Sequence, residues 1–205
     1  MAGETFTPFY PTKHHVQKIA GMLAHAFVNN MMYRVLIPDD AKRKASLPSL
    51  FEFIVGYALK HGTVIATSDA LEGALLAIDW DKGAITTWRM LGSGALRLLF
   101  SIGFDFARRQ SNNSKVLDEM HEALAPPSHV YLWIIGIDPE YQGKGLGSKL
   151  IRFLQSELAA RHRPCYLETA KPENVGIYEH LGFRVVGRKE LAVPGATATG
   201  MLWEG

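Results

Sequence analysis

The stretch GIDPEYQGKGLGSKL, residues 136–150, decides the fold. Gly143, Gly145 and Gly147 alternate with Lys144 and Leu146. The apolar run HVYLWIIGI (129–137) precedes them, and a helical pattern follows in which Leu146, Leu150, Leu154 and Leu158 make one stripe. A strand, a glycine loop and a helix in that order build an anion site. The first N–H groups of a helix lack partners, and the dipole makes that end about half a charge positive. Glycines bring backbone close to a ligand, and Lys144 adds a cation. A pyrophosphate suits such a site. Two standard phosphate loops fail by count: Ser148 stands where both the P-loop and the dinucleotide fingerprint need a glycine.

Working outward, HVYLWIIGI reads as a strand buried on both faces and so central in a sheet. Gly136 within it predicts a bulge or a close approach of another backbone. Upstream, ETFTPFY reads as a first strand. Thr12 is placed to cap a helix carrying Val16, Ile19, Leu23 and Phe27, and Asp40 to cap a second with Leu47, Leu50, Phe51, Ile54 and Val55. TVIATSD and EGALLAIDW read as two strands. The segment 81–127 mixes glycines with helical periodicity. It is expected to be a helical insertion, either a wall over a substrate site or plain core. Downstream, PCYLET is a strand and ENVGIYEHLGF a short helix, with Asn174 as N-cap and Gly182 at the left-handed C-terminal position. FRVVGRKELAV and ATATGMLWE close the chain as strands around Pro194 and Gly195.

Gln142-Gly143-Lys144-Gly145-Leu146-Gly147 resembles the [RQ]-x-x-G-x-[GA] signature of the GNAT superfamily of N-acetyltransferases. Asn174, Tyr178, Gly182 and Phe183 stand in register with a second element of that family. DPEYQGKGLGS, LET and YEHLGF look closest to the branch containing puromycin N-acetyltransferase. The resemblance implies a single domain over 1–205, with an acetyl-CoA-binding core at about 129–187. It implies an α+β fold in α/β/α layers. The mixed sheet would have about seven strands, splayed between the fourth and fifth, with the insertion before the fourth.

The same resemblance implies acetyl-CoA as co-substrate. Gln142, Gly143, Lys144, Gly145, Leu146, Gly147 and Ser148 would hold its pyrophosphate. Ile135, Gly136 and Ile137 would meet the pantetheine arm and thioester oxygen. Asn174 would touch the arm or only cap its helix. Tyr178 would protonate the leaving thiolate or only pack beneath the helix. Glu168, ending a strand beside the splay, is the first choice of base; a structural partner for nearby backbone is the alternative. His121 and His129 are weaker candidates for that role.

The reaction expected is direct attack of a primary amine, most simply of a small molecule. A protein lysine or N-terminal acetyltransferase and a non-catalytic CoA or amine sensor are the alternatives. A net charge of +2 gives no argument for nucleic acid. No signal-peptide core or bilayer-length apolar run is seen, so a cytoplasmic protein without membrane contact is expected. Cys165 is the single cysteine and reads as core packing. His14 and His15 lack further ligands nearby, and no metal is expected. By family analogy the C-terminal hairpin could pair two copies in a homodimer.

Overall fold

A computed structural model describes residues 6–83, 85, 98 and 102–205. The helices among them are α1 (Val16–Phe27), α2 (Met31–Leu36), α3 (Asp40–His61), α4 (Trp80–Gly83), α5 (Phe104–Leu124), α6 (Leu146–Ala159) and α7 (Pro172–His180). The strands are β1 (Thr63–Ala66), β2 (Gly73–Asp79), β3 (Val130–Ile137), β4 (Cys165–Thr169), β5 (Arg184–Glu190) and β6 (Thr197–Trp203). They form one sheet in the order β1-β2-β3-β4-β6-β5, in which only β3 and β4 run parallel. The layers are α/β/α, as expected.

Among the described residues six strands form, where about seven were expected. Phe9 pairs with Ala66 in an isolated antiparallel bridge. Pro8 and Pro11 flank it and carry no N–H, so the ladder cannot lengthen there. The expected splay is present. β3 and β4 pair only at Val130–Cys165 and Tyr131–Tyr166. From Leu132 onward β3 has no ladder partner on the β4 side and opens a wedge. Counting the bridged segment as a strand, this is the gap between the fourth and fifth.

β2 is buried on both faces. Ala74, Leu76 and Ile78 join the core under α1 and α3, while Leu75 and Ala77 join the core under α6. The stripe read from the sequence supplies that second core, with Leu150, Leu154 and Leu158 all buried. Each such side chain contributes roughly 1.5–3 kcal/mol on leaving water.

The bulge lies elsewhere than expected. β2 pairs Leu76 with Ile134 and Ala77 with Leu132, so Trp133 is the extra residue. Trp133 and Ile134 consequently both face α1 and α3, whereas Ile135 and Ile137 face α6. Gly136 answers a different need. A Cβ there would lie 2.6 Å from Leu23 Cδ2 and 2.9 Å from Phe27 Cε2, so the glycine lets α1 settle onto β3.

Capping corrects three further readings. Thr12 caps a 3-10 turn (Lys13–His15) that precedes α1. Asp39, not Asp40, caps α3 by accepting from the Lys42 N–H at 2.6 Å. The N-cap of α7 is Lys171 with Pro172 at the first helical position, so Asn174 lies inside the first turn. Gly182 behaves as read, with φ +84°. The Phe183 and Gly182 N–H groups donate to the Tyr178 and Glu179 carbonyls, and the Phe183 ring packs on Tyr178 at 5.8 Å. That is a Schellman motif with its apolar contact.

The insertion is helical where it is described. α5 runs unbroken through the Gln110–Lys115 region. Trp88 and much of 84–101 lie outside the described residues. α5 lies over β5 and β6 in a groove made by Gly187 and Gly200. A Cβ at either would come within 3.2 Å of Leu124 Cδ1. Arg109 ties α5 to the Val35 and Leu36 carbonyls at the end of α2. Arg43, itself buried, ties α3 to the ends of α1 and α2 through the Val28 and Ile37 carbonyls.

Candidate active site

The donor side is built mostly from backbone. Asp138 starts a 3-10 turn (Pro139–Tyr141) by accepting from the Glu140 N–H, and its carboxylate meets His25 of α1 at 3.1 Å. The Gln142 side chain turns back and donates to the Ile137 carbonyl at 3.0 Å, fastening the loop to β3. Gly143 and Gly145 then take φ +77° and +73°, a region that costs other residues roughly 1–2 kcal/mol. A Cβ at either would meet nothing within 4 Å, so both face open space. α6 begins at Leu146 with no side-chain cap, and its first intrahelical bond runs from the Lys149 N–H to the Gly145 carbonyl. The N–H groups of Leu146, Gly147 and Ser148 therefore remain for a ligand. Lys144 lies over the exposed Tyr141 ring at 4.5 Å. Ser148 also lines a cleft of about 420 Å³ between α6 and α7, with Arg152, Glu173, Gly176 and Ile177 among its walls. An open glycine turn, uncapped N–H groups, two nearby cations and an adjoining cleft fit the pyrophosphate and arm of CoA.

Tyr178 lies on the α6 side of β4, packed with Cys165, Leu167 and Phe183. Burial holds its phenol proton tightly, pushing the pKa up to about 12, with the nearby Cys165 adding to the effect. Among the described residues its hydroxyl makes no side-chain hydrogen bond. Cys165 is itself buried, and burial pushes its thiol up to about 12, consistent with packing. Asn174 is half-buried one turn before Tyr178 on the same helix.

Glu168 lies on the opposite face of β4, two residues beyond the last rung of the β3–β4 ladder. Tyr131 of β3 donates to its Oε2 at 2.6 Å, so a side-chain bond bridges the strands where the backbone ladder stops. Its Oε1 is buried and has no hydrogen-bond partner among the described residues, as is true of the Tyr166 hydroxyl. Native structures rarely leave such atoms unpaired, so they mark a place for water or a ligand. His121 of α5 brings Nδ1 to 3.5 Å from Oε1. His121 Nε2 meets His129 Nε2 at 2.9 Å, and His129 Nδ1 meets the Pro126 carbonyl at 2.6 Å. Trp80 stacks on His121 with centroids 4.0 Å apart. Arg163 holds Trp80 in place through Asp79, Asp81 and the His129 carbonyl. Burial and the Glu168 charge raise the Asp118 carboxyl and keep the Tyr131 phenol protonated. Toward α1 and α2, Phe27, Tyr33 and Phe51 form an aromatic cluster at 5.4–6.0 Å.

Of the residues singled out by sequence, the loop and Ile135 to Ile137 come together on one side of the splay. Glu168 and Tyr178 flank β4 from opposite faces. His121 and His129, ranked low as isolated histidines, turn out to be joined to Glu168. Tyr131, Tyr166 and Trp80 were not singled out. Their only sequence signal is aromatic content at the rim of an apolar strand. Among the described residues no cluster of His, Cys, Asp and Glu is arranged to hold a metal, and no helix is long and apolar enough to cross a membrane.

A family model described as an acetyltransferase (GNAT) domain matches residues 108–185. The chain is 27% identical over 175 residues to an uncharacterized N-acetyltransferase of Schizosaccharomyces pombe, covering 82% of this chain and 70% of that protein. It is 39% identical over 77 residues to the N-alpha-acetyltransferase RimI of Mycobacterium tuberculosis, covering 36% of this chain and 48% of that one. A histone acetyltransferase HPA2 and related acetyltransferase structure from Corynebacterium glutamicum shares the fold. Its TM-score is 0.63 at 20% identity, over 96% of this chain and 94% of that chain. The chain has the GNAT fold and carries a GNAT acetyltransferase domain, and it is an acetyl-CoA-dependent acyltransferase.

Proposed function

We propose that the chain acetylates a primary amine of a small molecule, with donor and acceptor bound together, Glu168 acting as base and Tyr178 as acid. The supporting observation is the placement of a carboxylate and a phenol on opposite faces of β4, at the rung where β3 departs. Bound acetyl-CoA supplies the acetyl thioester. The free loop N–H groups would hold the pyrophosphate, and the β3 amides that point away from β2, beyond the last rung to β4, would face the thioester oxygen. A lysine-like amine has a pKa near 10.4, so presenting it neutral at pH 7 costs about 4–5 kcal/mol. Glu168, buried with one oxygen unpaired, takes that proton directly or through a water. Tyr178, its proton held tightly by burial, gives one to the departing sulfur.

The small-molecule reading rests on the aromatic cluster of Phe27, Tyr33 and Phe51 beside α1 and on α5 packed over β5 and β6. Residues 1–205 are taken as one domain, in the cytoplasm; pairing of copies through β5 and β6 belongs to the same proposal. The motifs shared with the puromycin N-acetyltransferase branch place aminonucleosides among the acceptors to try. The deciding experiment is an acetyl-CoA turnover screen over small primary amines, aminonucleosides and peptides, read by release of free thiol. Faster turnover of peptides bearing a free N-terminus or lysine than of any small amine would replace this reading with protein acetylation. CoA binding without turnover of any acceptor would make the chain a sensor.

A further inference from the structure

The carboxylate proposed as base does not stand alone, and its neighbours fix where protons sit. The Pro126 carbonyl can only accept, so His129 carries its proton on Nδ1. A neutral His129 then presents a bare Nε2 to His121, which must donate from its own Nε2. That choice leaves His121 Nδ1 bare and facing Glu168 Oε1, the buried oxygen that lacks a hydrogen-bond partner among the described residues. Two acceptors 3.5 Å apart in a buried site create a vacancy for one proton. We propose that Glu168 and His121 act as one proton-accepting unit for the acceptor amine, and that His129 is a positioning residue that sets the His121 tautomer.

The surroundings support this arrangement. Burial lowers the His129 pKa, and the His121 and Arg163 charges act in the same direction, against the Pro126 bond and Asp81. A neutral His129 is what the tautomer argument needs. The groups facing the unit are Tyr131 from β3, Tyr166 from β4, Asp118 from α5, and Trp80 from α4. Tyr131 donates to Oε2 and leaves Oε1 for the shared proton. The inference rests on the acetyltransferase reading above. In the step, an ammonium N–H bond breaks and its proton passes to the unit, directly or through water. The unit goes from charge −1 to 0, and the nitrogen keeps the electron pair that attacks the thioester. The proton returns to solvent after transfer.

Two substitutions separate this role from packing. His129→Asn keeps a donor for Pro126 but removes the acceptor for His121. His129→Gln restores an acceptor at that position. In His129→Asn the protonated His121 loses its partner, and neutral His121 becomes free to donate from Nδ1 to Glu168. Both effects weaken the unit as a base. The acid limb of the kcat/KM pH profile should therefore move to lower pH by about one unit. The plateau rate should fall about 10-fold or more, with CoA affinity unchanged, and His129→Gln should recover most of both. Rate losses in the two variants without movement of the limb would overturn the proposal. Should the variants fail to fold, histidine 15N NMR of the wild-type chain decides. A His121 protonated at Nε2, with Nδ1 bare or sharing its proton with Glu168, supports it; a neutral His121 protonated at Nδ1 alone overturns it. A wild-type chain that binds acetyl-CoA but turns over no amine sinks the functional reading instead, and the NMR still reports the proton arrangement.

Discussion

Residues 135–148, the proposed donor side, follow one another along the chain. The proposed acceptor side draws Trp80, His121, His129, Tyr131, Tyr166 and Glu168 from five separate elements or loops. The first presents backbone: unpaired strand amides, two glycines at positive φ and an uncapped helix end. The second presents side chains: a carboxylate, two imidazoles and two phenols around one buried oxygen. Backbone on a contiguous segment can recognise an invariant group such as a pyrophosphate. Side chains carried by several elements can be exchanged one at a time, which suits the half of the site that meets different acceptors in different relatives.

This contrast breaks most sharply at the reacting groups. Tyr178→Phe keeps the ring against Phe183 and removes a hydroxyl that makes no side-chain hydrogen bond among the described residues. kcat should fall about 10²–10⁴-fold while melting temperature and CoA affinity hold. A loss below about threefold would reduce Tyr178 to packing. Glu168→Gln should lower kcat within the same range, seen in the same thiol-release assay.

Next in size is the donor loop. Gly145→Glu meets no steric obstacle, since nothing lies within 4 Å of the new Cβ. It does force a side chain onto φ +73° and sets a carboxylate at the positive helix end. Calorimetry should show acetyl-CoA binding weakened by about 10–100-fold, roughly 1.4–2.8 kcal/mol. Unchanged affinity would remove the loop from the donor site.

Smaller effects test how α5 carries His121 to Glu168. A Cβ at Gly200 would lie 2.7 Å from the Tyr166 hydroxyl and 2.8 Å from Met120 Cε. Gly200→Ala should cost about 1–3 kcal/mol of stability by overpacking, and turnover should suffer more than CoA binding. An unaltered denaturation midpoint would mean α5 has room to shift. The smallest change belongs to Gly147→Ala. Its Cβ would meet Ile137 Cγ1 at 3.7 Å, an ordinary contact, and its φ is not positive. Donor affinity should stay within about twofold, which the same calorimetry checks; a large loss would mean that all three glycines approach the ligand.

The same contrast explains what the sequence made legible. The loop, the central strand and α6 announce themselves by spacing, because glycine positions and leucine periodicity are local consequences of backbone geometry. Gly182 was legible for the same reason. Gly136 left a bulge and a close approach both open, because a glycine in a strand answers two needs alike: an extra residue, or a neighbour pressing close. Only packing of Leu23 and Phe27 decides between them. Asn174 was misread as a cap because Pro172 starts the helix earlier. The joining of His121 and His129 to Glu168 has no sequence signature. It depends on α5 settling over Gly187 and Gly200, about 70 residues further along the chain.

The independence of the two halves is tested most directly by acetyl-CoA titration of Glu168→Gln alongside its turnover. The expected result is an affinity within about twofold of wild type, because the proposed donor side binds through backbone of the β3–α6 loop, away from Glu168, together with a kcat reduced at least 100-fold. A tenfold loss of acetyl-CoA affinity, or a kcat that does not fall, would contradict it.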